Sequence, residues 1–141
     1  MQRIPTKDLS KATGRTKELL AAIRRKMGRV PNIHATLANS PAVLTAYLRL
    51  NDALSQTSLD HRLRELLAVA VASANGSEYC LSAHTSMGKN LKVGEDELLS
   101  AQVAHSSNPK TLAALRFARA LVQKRGQVND GDVSSLKEAG F

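Results

Sequence analysis

The sequence predicts an all-α protein: a compact bundle of about seven helices built around a buried central helical hairpin. Three observations carry this. Apolar residues recur at spacings of three and four almost from end to end. No run shows the period-two alternation, bounded by turn residues, that marks a strand. The segment L-L-A-V-A-V-A-S-A, Leu66 to Ala74, is apolar on every face, the pattern of a helix enclosed by its neighbours.

Each element follows from local signals. The first helix carries Leu19, Leu20, Ile23 and Met27 on one stripe and stops at Gly28. R-V-P-N is a connector, with Asn32 as N-cap of a short segment from Ile33 to Ala38. Ser40-Pro41 opens a second long helix with proline in the first turn, where its missing N–H costs little. Its stripe is Val43, Leu44, Tyr47, Leu48, Leu50 and Leu54. Asp60 caps the third helix, which Asn75-Gly76 terminates after Ala74. Ser77 caps a fourth, reaching Leu91; Gly94 to Ala104, Pro109 to Gly126 and Asn129 to Ala139 supply the rest. The hairpin rhythm contains no repeat strong enough to mark a solenoid.

Composition narrows the function classes. The 141 residues suit one domain, with enough core to fold without metals or disulfides. A single cysteine excludes an intrachain disulfide framework. M-Q-R-I-P-T-K-D-L lacks the apolar run of a secretory signal, and the longest nearly uncharged stretch, Leu66 to Ser77, is too short to span a membrane. The expectation is a soluble, cytoplasmic protein with no membrane partner. The net charge of +8 raises nucleic acid as a partner. The bases are spread along the chain, however, and four aromatic residues are too few for a stacking platform, so a solvated basic surface is the better reading. His34 reads as a surface residue of the short helix and His105 as a helix-end residue near the negative pole of the dipole. With no metal-ligand spacing, phosphate-binding glycine loop or dinucleotide fingerprint, neither metal nor cofactor is expected.

Chemistry concentrates in N-G-S-E-Y-C-L-S-A-H-T, Asn75 to Thr85. Cys80 falls in the first turn of a helix, where unpaired N–H groups and the dipole favour a thiolate. His84 is four residues on, on the same face, placed to accept the thiol proton or stabilise the thiolate. Tyr79 adds a phenol beside the thiol. If the third and fourth helices fold back at Gly76, Glu65 lies 11 residues before the bend and His84 lies 8 after it. At about 1.5 Å per residue the heights are roughly 16 Å and 12 Å, close enough to pair. Each residue also has a plainer role: Cys80 as a small buried apolar group, His84 hydrogen-bonded to water, Ser77 as a helix cap, Glu65 paired with Arg62 or His61 on its own helix.

The run E-L-L-A-V-A-V-A-S-A-N-G-S-E-Y-C-L-S-A-H-T resembles the signature of the alkylhydroperoxidase D / carboxymuconolactone decarboxylase family. That signature is a glutamate, an apolar helix, then C-x-x-C followed by three residues and a histidine. Glu65, Cys80 and His84 match its glutamate, second cysteine and histidine in type and spacing. G-R-V-P-N-I-H-A-T-L-A-N-S-P-A-V-L-T-A-Y resembles the family's lead-in, so the likeness covers Leu19 to Lys124. The resemblance implies an all-helical fold and a homo-oligomer, often a trimer or hexamer. It implies a small-molecule hydroperoxide or lactone as substrate. In its peroxidase scheme Cys80 attacks the peroxide while His84 and Glu65 relay protons. Two positions depart from the pattern. Ser77 stands at the first cysteine, so no internal thiol resolves the oxidised Cys80 and an external thiol reductant is needed. Tyr79 stands where the alkylhydroperoxidase proper carries a histidine. Family members usually continue into another apolar helix, so a single domain over residues 1–141 is expected to be truncated or abbreviated at its end. The competing functions are a decarboxylase-type enzyme using His84 and Glu65 as acid and base, and a non-catalytic oligomeric scaffold that kept the fold.

Overall fold

The computed structural model describes residues 3–141. Among them are eight α-helices and no strand, so the chain is all-α as its periodicity predicts. They are α1 (Gly14–Met27), α2 (Asn32–Leu37), α3 (Pro41–Ser55), α4 (His61–Ala74), α5 (Glu78–Asn90), α6 (Glu95–Gln102), α7 (Pro109–Gln123) and α8 (Asp130–Glu138). None is long and apolar enough to cross a membrane. The chain divides into two compact units, Met1–Thr57 and Ser58–Phe141.

In the first unit, α3 packs against α1 and α2. Leu19, Leu20, Ile23 and Leu44 form its core with Ala12 and Ala38. The glycine stop is real: Gly28 adopts φ 75°, the left-handed conformation that a side chain disfavours. Two stripes are narrower than the periodicity suggested. Met27, Val43, Leu50 and Leu54 are exposed. On α3, positions 43, 50 and 54 share one line, and Leu44 and Leu48 lie roughly 100–140° round the helix from it. On the second line Leu44 is fully buried in the core and Leu48 packs against it. α2 begins one residue before the expected segment, with Pro31 as N-cap and Asn32 inside the first turn. Pro31 is extended, and its carbonyl accepts the Ala35 N–H at 3.1 Å, so Asn32 has no capping to do. His34, expected at the surface, is buried because α2 turns that side toward α3. Its ring meets Tyr47 edge-on at 5.6 Å, and its Nδ1 has no hydrogen-bond partner. Burial pushes the His34 pKa down from its usual range.

The second unit is organised around α4, which packs against α5, α6 and α7. Leu66, Val69 and Ala70 join Val93, Leu98, Ala101, Ala104 and Leu115 in one core. This is what an all-round apolar helix requires: partners on several sides. Asp60 caps α4 by accepting the Leu63 N–H at 2.8 Å. At the other end Ser77 N–H donates to Ala72 O and Gly76 N–H to Ser73 O, the paired bonds of a Schellman stop with Gly76 at φ 63°. That stop reverses the chain and starts α5 antiparallel to α4. Close approach of α5 and α6 depends on Gly88, where a Cβ would lie 2.7 Å from a methyl of fully buried Leu98.

Candidate active site

The α4–α5 hairpin brings Glu65 and His84 together. Glu65 Oε2 and His84 Nδ1 lie 2.8 Å apart across 19 residues of sequence. Both are partly shielded, with side-chain exposures of 19% and 32%. The rival partners of Glu65 are engaged elsewhere. Arg62 forms a salt bridge with Glu97 on α6, and His61 Nδ1 meets Arg64 Nη2 at 2.6 Å. Glu65 therefore points across the hairpin and not along its own helix.

The pairing fixes what the imidazole offers. An ionised carboxylate only accepts hydrogen bonds, so beside ionised Glu65 it is His84 Nδ1–H that donates the hydrogen bond. In the neutral ring the lone pair then lies on Nε2. Held by its carboxylate, the imidazole is oriented in the manner of other acid–base pairs whose histidine is positioned by a third group.

Cys80 is the third residue of α5 and half-buried, with no disulfide. One turn separates it from His84, so the two share a face of α5. The first three N–H groups of the helix, its own included, lack an intrahelical acceptor and supply the local positive field. Tyr79 is 47% exposed and lies about 100° round the helix from Cys80, on a different line from the Cys80–His84 face. Ser77 occupies the N-cap position with an extended backbone, but its side chain accepts no capping hydrogen bond. The capping role expected of it is thus not filled by its hydroxyl.

A concavity of about 680 Å³ in the same unit lies apart from these residues. It is lined by polar groups including Arg62, Glu97, His105 and Asn108, and none of Glu65, Cys80 and His84 takes part. Among the described residues no cluster of three or more His, Cys, Asp or Glu is placed to hold a metal ion.

The site is thus a helical hairpin in which a carboxylate of α4 pairs with an imidazole of α5, and α5 also carries a first-turn thiol. The chain belongs to the carboxymuconolactone decarboxylase family, whose model matches residues 41–120. Among solved structures it is similar to a peroxidase-related protein from Ralstonia eutropha JMP134, described as an alkylhydroperoxidase AhpD core. The TM-score is 0.82 at 28% identity, over 99% of this chain and 76% of that one. A peroxidase-related protein from Silicibacter sp. TM1040 shares the fold, with TM-score 0.82 at 24% identity over 100% of this chain and 80% of that one. No curated protein matches the sequence.

Proposed function

We propose that this protein is a thiol-dependent hydroperoxide reductase in which Cys80 is the reacting group. The observation that supports the reading is the 2.8 Å contact between Glu65 of α4 and His84 of α5, the helix that bears the first-turn thiol. The peroxidase-related similarity at 28% identity supports the same chemistry.

His84 Nε2 takes the Cys80 proton, and the thiolate attacks the terminal oxygen of a hydroperoxide. A sulfur–oxygen bond forms as the oxygen–oxygen bond breaks. Sulfur is oxidised to a sulfenic acid, the peroxide is reduced to an alcohol, and the departing alkoxide takes its proton from the imidazolium. Glu65 holds the ring in the working tautomer and steadies its transient positive charge. Ser77 cannot resolve the sulfenic acid. One external thiol condenses with it to a mixed disulfide, releasing water, and a second returns Cys80 to the thiol. Two thiols are oxidised for each peroxide reduced. Assembly into a homo-oligomer is part of the same proposal.

The test is trapping of a peroxide-dependent sulfenic acid at Cys80 by a carbon nucleophile, read by mass spectrometry. Cys80→Ala should abolish the adduct and His84→Gln should slow its formation. A wild-type thiol reacting no faster than free cysteine sinks the peroxidase reading. A second reading stays open because the Glu65–His84 pair is complete without the thiol: a decarboxylase-type acid–base enzyme acting on a lactone. Activity on such a substrate that survives Cys80→Ser would favour it.

A further inference from the structure

The charge of the chain is unevenly placed. Residues 1–57 hold ten of the twenty Lys and Arg but only three of the twelve Asp and Glu, so this stretch carries +7 of the net +8. Within the unit the positive groups are not simply dispersed. Lys17 and Arg24 stand two turns apart on one face of α1, with Ala21 between them. The small side chain at 21 leaves a trough between two long cationic ones. Lys7 lines the same concavity, from a segment pinned to α2 by its N–H donating to Ala35 O at 2.8 Å.

Together these residues line a concavity of about 510 Å³, floored by Leu9, Ala21 and Val30. The size is within the range of small-molecule sites. The acids of this unit offset only part of this positive charge. Asp8 also lines the concavity; it accepts the Ser10 N–H at 2.9 Å, which holds its carboxyl below the usual range, so its charge offsets one of the three cations and leaves the concavity net positive. Glu18 pairs with Arg15 at 2.8 Å, and Asp52 lies on α3. Lys7, Lys17 and Arg24 have no carboxylate partner among the described residues.

We propose that this trough binds a small amphipathic anion: a carboxylate or phosphate head held by Lys7, Lys17 and Arg24, with a short apolar body on the Leu9–Ala21–Val30 floor. Three cations around one concavity suit a compact head better than a long polyanion, which needs bases along a track. No aromatic residue lines the trough, so it offers no platform for stacked bases. The assignment is independent of the thiol chemistry.

The experiment uses the full chain, titrated with octanoate, octyl phosphate, octanol and inorganic phosphate, followed by calorimetry and by NMR shifts. Octanoate and octyl phosphate should bind with one site per chain and shift residues of α1 and the Lys7 segment. Whichever binds more tightly identifies the head. Octanol, lacking the charge, and inorganic phosphate, lacking the body, should each bind at least about tenfold more weakly than octyl phosphate. Arg24→Glu and Lys17→Glu should each weaken octyl phosphate by about tenfold or more, and Ala21→Leu should do the same by filling the trough. The three positions are exposed or half-buried, and a thermal melt verifies that each variant folds; Arg24→Gln replaces any that does not. Affinity unchanged by these substitutions would overturn the proposal. So would equal binding of octyl phosphate and inorganic phosphate. Tighter, steeply salt-dependent binding of a DNA duplex would overturn it in favour of a nucleic-acid surface.

Discussion

Replacing Ser77 by cysteine tests the thiol chemistry and the local geometry at once. Ser77 and Cys80 are three residues apart at the start of α5. A helical rise of 1.5 Å per residue and a 2.3 Å radius put their Cα atoms about 5 Å apart, inside the window of about 4.4–6.8 Å that a disulfide spans. The substitution should be nearly free for the fold. Losing a capping serine usually costs about 1 kcal/mol, but the Ser77 side chain makes no capping bond. The expected melting temperature of the reduced variant is therefore close to wild type. With one equivalent of hydroperoxide, Cys80 should oxidise first and the introduced thiol should displace water from its sulfenic acid. Intact mass would fall by two hydrogens and both thiols would become inert to alkylation. Turnover with a dithiol reductant should exceed that of the wild type. The reasoning is refuted if oxygen accumulates on Cys80 while the introduced thiol stays free, because the two sulfurs would then not meet despite their spacing.

Three further outcomes follow from the same structure. Glu65→Gln removes the charge from a partly buried hydrogen bond worth about 1.5–3 kcal/mol, so sulfenic acid formation should slow by about 10- to 150-fold in rapid-mixing assays; an unchanged rate would remove Glu65 from the relay. His34 has a folded-state pKa below its unfolded value, so the unfolded chain takes up more protons as pH falls below about 6.5. Stability should be full above that pH and decline on acidification, as measured by urea melts from about pH 7.5 to about pH 5, and His34→Phe should flatten the dependence. Gly88→Val drives a branched side chain against the methyl of Leu98, which is 1% exposed, and should lower stability by about 1–3 kcal/mol in the same melts.

Much of the site is legible in the chain because helical geometry converts spacing into position. Glu65 and His84 lie at similar heights either side of Gly76, and that arithmetic alone anticipates a contact that the structure places at 2.8 Å. The all-round apolar run of α4 likewise announces a helix with neighbours on several sides. What was not legible has a common cause: it depends on which side of an element another element covers. α2 has six residues, too few to reveal a face, so the burial of His34 could not be read from its neighbours in sequence. α3 offers two apolar lines, and only contact with α1 and α2 decides that Leu44 turns inward while Leu50 does not.

Ser77 is the instructive case between these extremes. Its residue type fits an N-cap so well that composition leaves nothing to explain, and its backbone does occupy that position. Its hydroxyl, however, makes no capping bond there, while the Gly76 stop ends α4 just before it. The fold therefore places no demand on the side chain at 77. A thiol could stand there at little cost to stability, and the choice between serine and cysteine at this position falls to chemistry: whether an oxidised Cys80 is resolved from within the helix or by a thiol from outside.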